Sequence, residues 1–528
     1  MTTERSDVLP TVPRGDSEEL HPREFRFGRC LFWAVGAAAS FDIAYGFPQL
    51  SFVIVGYLYC LIQLSQGGSG RLAFYFGLAV GLLTAAPQLH CFWSIFGPSA
   101  IALWVVVAFW IGLFVALARL CKARFGPRWG LLLIPFLWTG LEYFRSELYY
   151  LRFSWLNVGY AFSGSVALPL FKSCGMYGAG FLAMAVAVGI SLLRPEKALP
   201  ANQADVPSDS EPKRQRTAAL QDASHFSERA VPPQDLGMRL CSAALVLLAL
   251  FAFVSLTLHG RPSSEIPTSP SEKSIQVAGL QLESATEAQV VSALDNLLRS
   301  HPEAELLMLS EYTLDGPVPD MVTTWCREHH RHLILGGKDP APKNNFYDTA
   351  FVVGPTGEII FRQVKSVPIQ FFKDGLPATE QKLWESPWGK IGLCICYDLS
   401  YTRVTDALIR QGAQAIIVPT MDVVDWGRRE HELHALVAPV RAAEYGVPIF
   451  RVASSGISQL VDRTGQVVAR AGFPGQQETL AGQLTLGKAG TLPLDRWLAP
   501  VAVGVTAIVM LWLLVRRLAG KVHPNLAW

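Results

Sequence analysis

Three residues of this chain could together break and remake an acyl bond: Glu311 in LLMLSEY, Lys365 in FRQVK, and Cys396 at the end of the apolar run IGLCIC. A thiol can attack a carbonyl and carry the acyl group as a thioester, a carboxylate can take the thiol proton, and an ammonium can steady both the thiolate and the oxyanion. Taken singly, each has a plainer explanation. A free cysteine in an apolar strand is most often core, Glu311 reads as a solvated loop acid, and Lys365 reads as a strand-end surface charge. The meaning lies in the set of three. Cys396 is expected to close a strand just before a helix near Tyr401, where the positive helix end and exposed amides would lower its pKa from about 8.5.

The segments around these residues predict how they are held. Short β-branched and apolar runs at 275–281, 306–309, 332–336, 349–353, 358–363, 391–396, 415–419, 449–453 and 459–461 read as strands. Helical patterns at 285–299, 403–411 and 430–445 alternate with them, so residues 272–488 are expected to form a layered α/β sandwich. Each of the three chemical residues falls just after a strand signal.

The rest of the chain points to a bilayer. Charged residues make up only 17% of the sequence and the net charge is +2, which gives no nucleic-acid-binding surface. Apolar stretches at 30–47, 49–65, 71–93, 99–118, 129–145, 174–193, 240–258 and 497–515 are each long enough for a spanning helix of roughly 17 to 25 residues. Eight spans result: a six-span region at 29–194, a seventh span at 237–259 and an eighth at 497–517. The boundary of the second is the least sharply marked, interrupted by Asp42, Gly46 and Pro48. Arg23, Arg26 and Arg29, Arg71, Arg119 to Arg128, Arg194 and Lys197, Arg239, and Arg516 to Lys521 all fall on one face of this eight-span solution. By the positive-inside tendency that face is cytoplasmic, which puts the α/β domain outside.

Residues 1–28 are polar and are expected to be a cytoplasmic tail rather than a signal peptide. Residues 195–236 are too poor in large apolar groups to bury a core and read as a disordered cytoplasmic loop. The nine cysteines show no CxxC pair, so no zinc or thioredoxin-like site is indicated and no structural disulfide is expected. His431 and His434 are separated by two residues, which is not the HExxH spacing, and no metal or cofactor is expected.

With these residues in place, the α/β domain resembles the carbon–nitrogen hydrolases of the nitrilase superfamily. GLCICYD is similar to their nucleophile segment, NNFYDTAFVVGPTGEIIFRQVK to the stretch that carries the lysine, and RAAEYGVPIFRVASSG to a later helix and strand. The resemblance implies a nitrilase-like αββα sandwich, inserted before the last span of an α-helical transmembrane bundle, with Glu311, Lys365 and Cys396 as the catalytic triad. The membrane half narrows it further. LWTGLEYFRSELYYLRFSWLNVGYAF is similar to a segment of bacterial apolipoprotein N-acyltransferases, multi-pass proteins of the inner membrane with a periplasmic catalytic domain. That likeness implies a phospholipid acyl donor, a thioester on Cys396, and as acceptor the α-amino group of a lipoprotein's N-terminal diacylglyceryl cysteine. The alternative is a membrane-tethered amidase or nitrilase that hydrolyses a small or lipid-like amide.

Tyr397, Asp398, Trp426 and Trp155 are the residues the resemblance suggests for substrate binding. Trp426 is matched by a pocket aromatic in the family and is equally readable as a structural one. The sequence departs from the family where a glutamate is usual after the lysine. VPIQFFKDG offers Gln370 or Asp374 instead, and the sequence does not choose between them. Asp398 stands where Glu is more usual, and Ser154 where Pro is usual. Glu444 reads as an ion-pair partner on a helix face rather than as a reactant.

Overall fold

The computed structural model describes residues 22–67, 69–193, 272–475 and 477–522. The expected seventh span at 240–258 and the polar loop at 195–236 lie outside the described residues.

The apolar N-terminal half is helical. Helix α1 (Pro22–Gly46) starts inside the expected polar tail, and a 3-10 turn at Pro48–Val53 leads into α2 (Ile54–Leu64). Then follow α3 (Gly70–Gln88), α4 (Cys91–Phe96), α5 (Ala100–Tyr143) and α6 (Phe171–Leu193). Among the described residues, five helices are long and apolar enough to cross a membrane: Phe27–Gly46, Gly70–Gln88, Cys91–Gly126, Leu168–Leu193 and Asp495–Ala519. Pro48–Leu64 is a shorter apolar helix. The runs at 99–118 and 129–145 fall in the single element α5, which breaks at Gly126, where φ is 79°. There the chain doubles back. The rings of Phe114 and Trp138 lie 5.0 Å apart, whereas a straight helix rising about 1.5 Å per residue would separate them by about 36 Å.

Small residues let the helices close on each other. A side chain added at Gly77 or Gly81 of α3 would strike the α5 backbone at Gly112 or Ala108, the close approach expected where apolar helices pack within lipid. Asp42, an acid in an apolar helix, accepts a 2.8 Å hydrogen bond from Gln88 Nε2 on α3, so it does not face lipid unpaired.

Among the described residues, the second half builds twelve strands and their covering helices. In chain order these are β1 (Lys273–Leu280), α7 (Glu287–Ser300), β2 (Leu306–Met308), α8 (Asp320–His329), β3 (His332–Ala341), β4 (Asn345–Val353) and β5 (Ile359–Val364). Then come β6 (Leu383–Ser386), β7 (Gly389–Leu393), α9 (Thr402–Arg410), β8 (Ala415–Thr420), α10 (Arg428–Ala435), α11 (Val437–Tyr445), β9 (Ile449–Ala453), β10 (Ser458–Val461), β11 (Val467–Ala471) and β12 (Thr479–Leu486). The long helix α12 (Asp495–Val522) follows. The strands form two six-stranded sheets, ordered β12-β1-β2-β3-β4-β5 and β11-β10-β9-β8-β7-β6. Their centres, β1-β2-β3 and β7-β8-β9, are parallel, and the flanking pairs are antiparallel.

Strand alternation explains the layers. Leu306 and Met308 face Ile391, Leu393, Ile417 and Phe450 in a core between the two sheets. Leu307 and Leu309 point the other way, onto Val290, Leu294 and Leu297 of α7 and Trp325 of α8. Thr286 and Gln289 fix the start of α7 through a reciprocal capping box. The outer face of the second sheet, with Ile416 and Val418, shares one continuous core with α9, α11 and the apolar helices of the N-terminal half. One helical layer of the sandwich is therefore also its floor on the bundle.

Several elements differ from their sequence expectation. The strand expected to run to Cys396 ends at Leu393, and the helix expected over 430–445 is two helices that meet at Leu436. Three strands and one helix were not foreseen: β6, β11, β12 and α8. The first three belong to the rims of the sheets, where β11 alternates half-buried and exposed residues and the apolar signal is weak.

Buried charge locks domain to bundle. Glu444 on α11 accepts hydrogen bonds from the Met176 amide of α6 at 3.0 Å and from Arg496 of α12 at 3.0 Å, and it pairs with Arg441. Burial pushes its carboxyl up, but Arg496 and Arg441 outweigh burial and bring it down to about 2. A carboxylate with a depressed native pKa stabilises the fold above its unfolded value of about 4.3, and that contribution is lost as pH falls. Unfolding in detergent should therefore become easier between about pH 4.3 and pH 2. Glu444→Gln should cost about 3 to 5 kcal/mol at neutral pH, because two guanidinium groups lose their anion. A thermal shift at pH 7 and at pH 3 checks both. A variant that matches the wild type at pH 7 would contradict this account of the joint.

Candidate active site

The ends of β2, β5 and β7 deliver the three residues to one point. Glu311 follows β2 and sits where β3 passes as Gly336; a side chain at Gly336 would collide with the Glu311 backbone, so the glycine permits the approach. Lys365 follows β5, and its amide extends the ladder by donating to the Asp348 carbonyl at 2.9 Å. Cys396 follows β7 and opens a 3-10 turn, Cys396–Ser400, with φ at 51°. That left-handed backbone costs a non-glycine residue on the order of 1–3 kcal/mol, and such strain is retained where a structure holds a side chain in a required place.

Lys365 and Glu311 are 1% and 2% exposed, so neither is the surface charge that each resembles alone. Lys365 Nζ lies 2.7 Å from Glu311 Oε1, 2.8 Å from Asp374 Oδ2 and 3.4 Å from Asp348 Oδ2. Glu311 Oε2 accepts from the Met421 amide at 2.7 Å. The Cys396 thiol lies beside the Glu311 carboxylate, close enough for each to shift the other's pKa, and Sγ donates to the Met421 carbonyl at 3.7 Å. The structure thus brings Glu311, Lys365 and Cys396 together.

Charge states follow from these contacts. Burial pushes the Glu311 carboxyl up, but the Lys365 ammonium outweighs it and leaves the group below the usual carboxylate range. Burial alone would pull Lys365 down, yet Glu311, Asp374 and Asp348 hold its ammonium well above the ordinary lysine value. Asp348 is driven well up by burial and by the Glu311 charge. Cys396 corrects the expectation of a lowered thiol pKa. Burial and the neighbouring Glu311 carboxylate push it well up, and the residue after it enters a 3-10 turn rather than an α-helix. The resting site is thiol, carboxylate and ammonium: the thiol needs a base, and one is in contact with it.

The missing glutamate after the lysine has a replacement. Asp374 binds Lys365 directly and accepts from Tyr312 Oη at 2.8 Å and from the Ile369 amide at 2.6 Å. Gln370 turns away and donates to the Tyr150 carbonyl.

The expected binding residues divide. Trp155, Tyr397 and Trp426 line a cleft that also reaches Cys396. One wall is apolar and comes from α4 and α5, including Phe92, Phe96 and Val107; another comes from Val367 to Phe372. Trp155 crosses between the halves, donating from Nε1 to Ser400 Oγ at 3.0 Å and stacking on His434 at 4.7 Å. Asp398 is not placed as the resemblance suggested. It is fully buried and accepts from the amides of Ser366 at 2.9 Å, Val367 at 2.7 Å and Ile395 at 3.4 Å, which ties the turn of Cys396 to the segment after Lys365. Burial raises its carboxyl to about 6.

Among the described residues, ligand-type atoms cluster in three places, each within 4.8 Å: Glu311 with Asp348 and Asp374, Asp422 with Glu430 and His431, and Cys396 with Asp422 and His434. In the first, the Lys365 ammonium already supplies the cation. In the second, the Arg451 guanidinium pairs with Asp422. Sequence reasoning missed Asp348, Asp422 and His434 as members of the site, and it left Asp374 as an alternative to Gln370. Asp422 and His434 are joined to the site only by folding.

Residues 282–493 match the carbon–nitrogen hydrolase family, and residues 34–189 match the apolipoprotein N-acyltransferase N-terminal domain. An apolipoprotein N-acyltransferase of Geobacter metallireducens is 24% identical over 79% of this chain and 82% of its own length. One from Azotobacter vinelandii is 25% identical over 85% of this chain and 87% of its own. An omega-amidase of Xenopus laevis is 26% identical, over 30% of this chain and 64% of its own length.

Proposed function

Because the chain belongs to the apolipoprotein N-acyltransferase family of carbon–nitrogen hydrolases, we propose that Glu311, Lys365 and Cys396 are its catalytic triad. They move an acyl chain from a membrane phospholipid to the α-amino group of the diacylglyceryl cysteine that begins a bacterial lipoprotein. The observation that carries this reading is the position of the Cys396 thiol, in contact with a buried carboxylate and open to a cleft whose far wall is apolar helix.

In the first half-reaction Glu311 takes the thiol proton as sulfur attacks the ester carbonyl. Lys365 faces the developing negative charge. The C–O bond then breaks, Glu311 returns the proton to the departing oxygen, and a lysophospholipid leaves a thioester on Cys396. In the second, the amine attacks the thioester carbon, the C–S bond breaks, and Glu311 passes a proton from nitrogen to sulfur. Asp374 and Asp398 position this machinery: one holds Lys365 and the other holds the turn of Cys396. Trp155, Tyr397 and Trp426 line the acyl pocket.

The protein is a multi-pass membrane protein. The sequence pattern supports eight spans, with residues 237–259 read as the seventh and the α/β domain between the seventh and eighth, on the periplasmic face of the inner membrane. The distribution of Lys and Arg supports that orientation. A bilayer floor suits the chemistry, since both substrates are lipids and a dry apolar wall keeps water from the thioester. The amidase reading is the weaker, because the amidase likeness covers 30% of the chain and leaves the helical half without a purpose.

The test is the mass of the product. Purified protein given phospholipid and a diacylglyceryl-cysteine lipopeptide should add one acyl chain to the peptide nitrogen, and a peptide with a blocked amine should stay unmodified. Hydrolysis of small amides with no peptide acylation would sink the proposal.

A further inference from the structure

An α-ammonium that becomes a secondary amide sheds two protons. One can travel through Glu311 to the sulfur, as above; the other has no acceptor within the Glu311, Lys365 and Cys396 set. The neighbouring cluster offers one. A nitrogen of His434, an oxygen of Asp422 and the Cys396 sulfur lie within 4.8 Å of one another. His434 Nδ1 is 2.8 Å from Asp422 Oδ1. A carboxylate can only accept, so Nδ1 carries the hydrogen and Nε2 keeps a free lone pair. Nε2 is buried and has no hydrogen-bond partner among the described residues, and His434 lines the cleft.

We propose that Asp422 and His434 form a second acid–base pair, in which His434 Nε2 takes the first proton from the acceptor's α-ammonium so that a neutral amine attacks the thioester. This rests on the acyl-transfer reading above. The attacking nitrogen comes to about 3 to 3.5 Å from a carbon bonded to Sγ, which puts it within direct or one-water reach of the imidazole. The proton then leaves to solvent through the open cleft, His434 is regenerated, and the remaining proton follows the Glu311 route to sulfur.

The surroundings keep His434 ready for this. Arg451 pairs with Asp422, and burial of Asp422 is outweighed by His434 and Arg451, which hold its carboxyl well below the usual range. Burial lowers His434 against the pull of Asp422, so it is neutral at neutral pH. Glu430, 3.9 Å from His434, is raised well above the usual range by burial and by the Asp422 charge and adds no counter-charge. His431 lies 3.9 Å from Asp422, and Glu311 and Cys396 face the ring from the nucleophile side.

The experiment separates the half-reactions. Acyl-enzyme is made from phospholipid alone, then mixed with lipopeptide at pH 6.5 and at pH 9, for wild type, His434→Gln and Asp422→Asn. His434→Gln is expected to lose roughly 100-fold in the transfer step at pH 6.5, far more than it loses in thioester formation. That deficit should shrink at pH 9, above the α-amino pKa of about 7.7 to 8.0, where the amine arrives neutral. Asp422→Asn should show the same pattern more weakly. Equal losses in both half-reactions, or a deficit unchanged between the two pH values, would mean that His434 only supports the fold and would overturn the proposal. A wild type that forms no thioester would instead overturn the acyl-transfer reading.

Discussion

Replacing Cys396 with alanine is expected to abolish acyl transfer, and Glu311→Gln, a change of one oxygen to an NH2 group, is expected to lose about 10²- to 10⁴-fold in thioester formation. The reason is the resting charge distribution. The Cys396 thiol is neutral because burial and the Glu311 carboxylate raise its pKa, so sulfur cannot attack until its proton moves. Glutamine can keep the bond to the Met421 amide that Glu311 Oε2 makes at 2.7 Å, and the fold around residue 311 should persist. What it cannot do is receive the proton. Single-turnover release of lysophospholipid measures this loss directly. Protonation of Glu311 itself should cost no rate down to about pH 4.3, because its carboxyl sits below the usual carboxylate range. A Glu311→Gln protein with near wild-type rates would remove the carboxylate from the mechanism.

Lys365→Met should be the most damaging change to both fold and activity. Its ammonium touches Glu311, Asp374 and Asp348, all nine-tenths buried or more. Without it, two negative carboxylates share a dry pocket with no counter-ion, a situation that costs about 3–5 kcal/mol when one partner of a buried ion pair is removed. Glu311 would also rise toward protonation and cease to be a base. Thermal unfolding in detergent gives the first effect and turnover the second. The double variant Lys365→Met with Asp374→Asn removes one of the two charges and should recover part of the stability and none of the turnover. If the single variant is as stable as the wild type, the cluster is not held by this ammonium.

These expectations draw on contacts that the sequence displays unevenly. Cys396, Lys365 and Glu311 stood out because each follows a run of apolar residues whose alternation marks a strand, and strand ends converge at one edge of a sheet. Leu306 to Met308 and Ile449 to Ala453 were legible for the same reason: both strands are wholly buried. Strand β11, with its half-buried and exposed alternation, gave a weaker signal. The hairpin inside α5 shows what hydropathy can and cannot find. Two apolar runs separated by Arg119, Lys122, Arg124 and Arg128 were readable, but the turn itself depends on the backbone freedom of Gly126.

Charge states were the least legible property. The depressed thiol pKa expected for Cys396 assumed an α-helix at its back, and what decides its state is burial against Glu311, a residue distant in sequence. Asp374 could be named as a stand-in but not chosen over Gln370, since nothing local says which of two polar side chains will turn toward Lys365. The pairing of Asp422 with His434 joins a loop after β8 to α10 and exists only in three dimensions.

The central claim is that Cys396 holds the acyl chain between donor and acceptor. Intact-protein mass spectrometry after incubation with phospholipid alone, in the absence of lipopeptide, tests it most directly. The account predicts a gain of one acyl chain, on the peptide that contains Cys396, removed by neutral hydroxylamine and lost when lipopeptide is added. An unmodified protein that nonetheless acylates lipopeptide, or an acyl group carried on another residue, would contradict it.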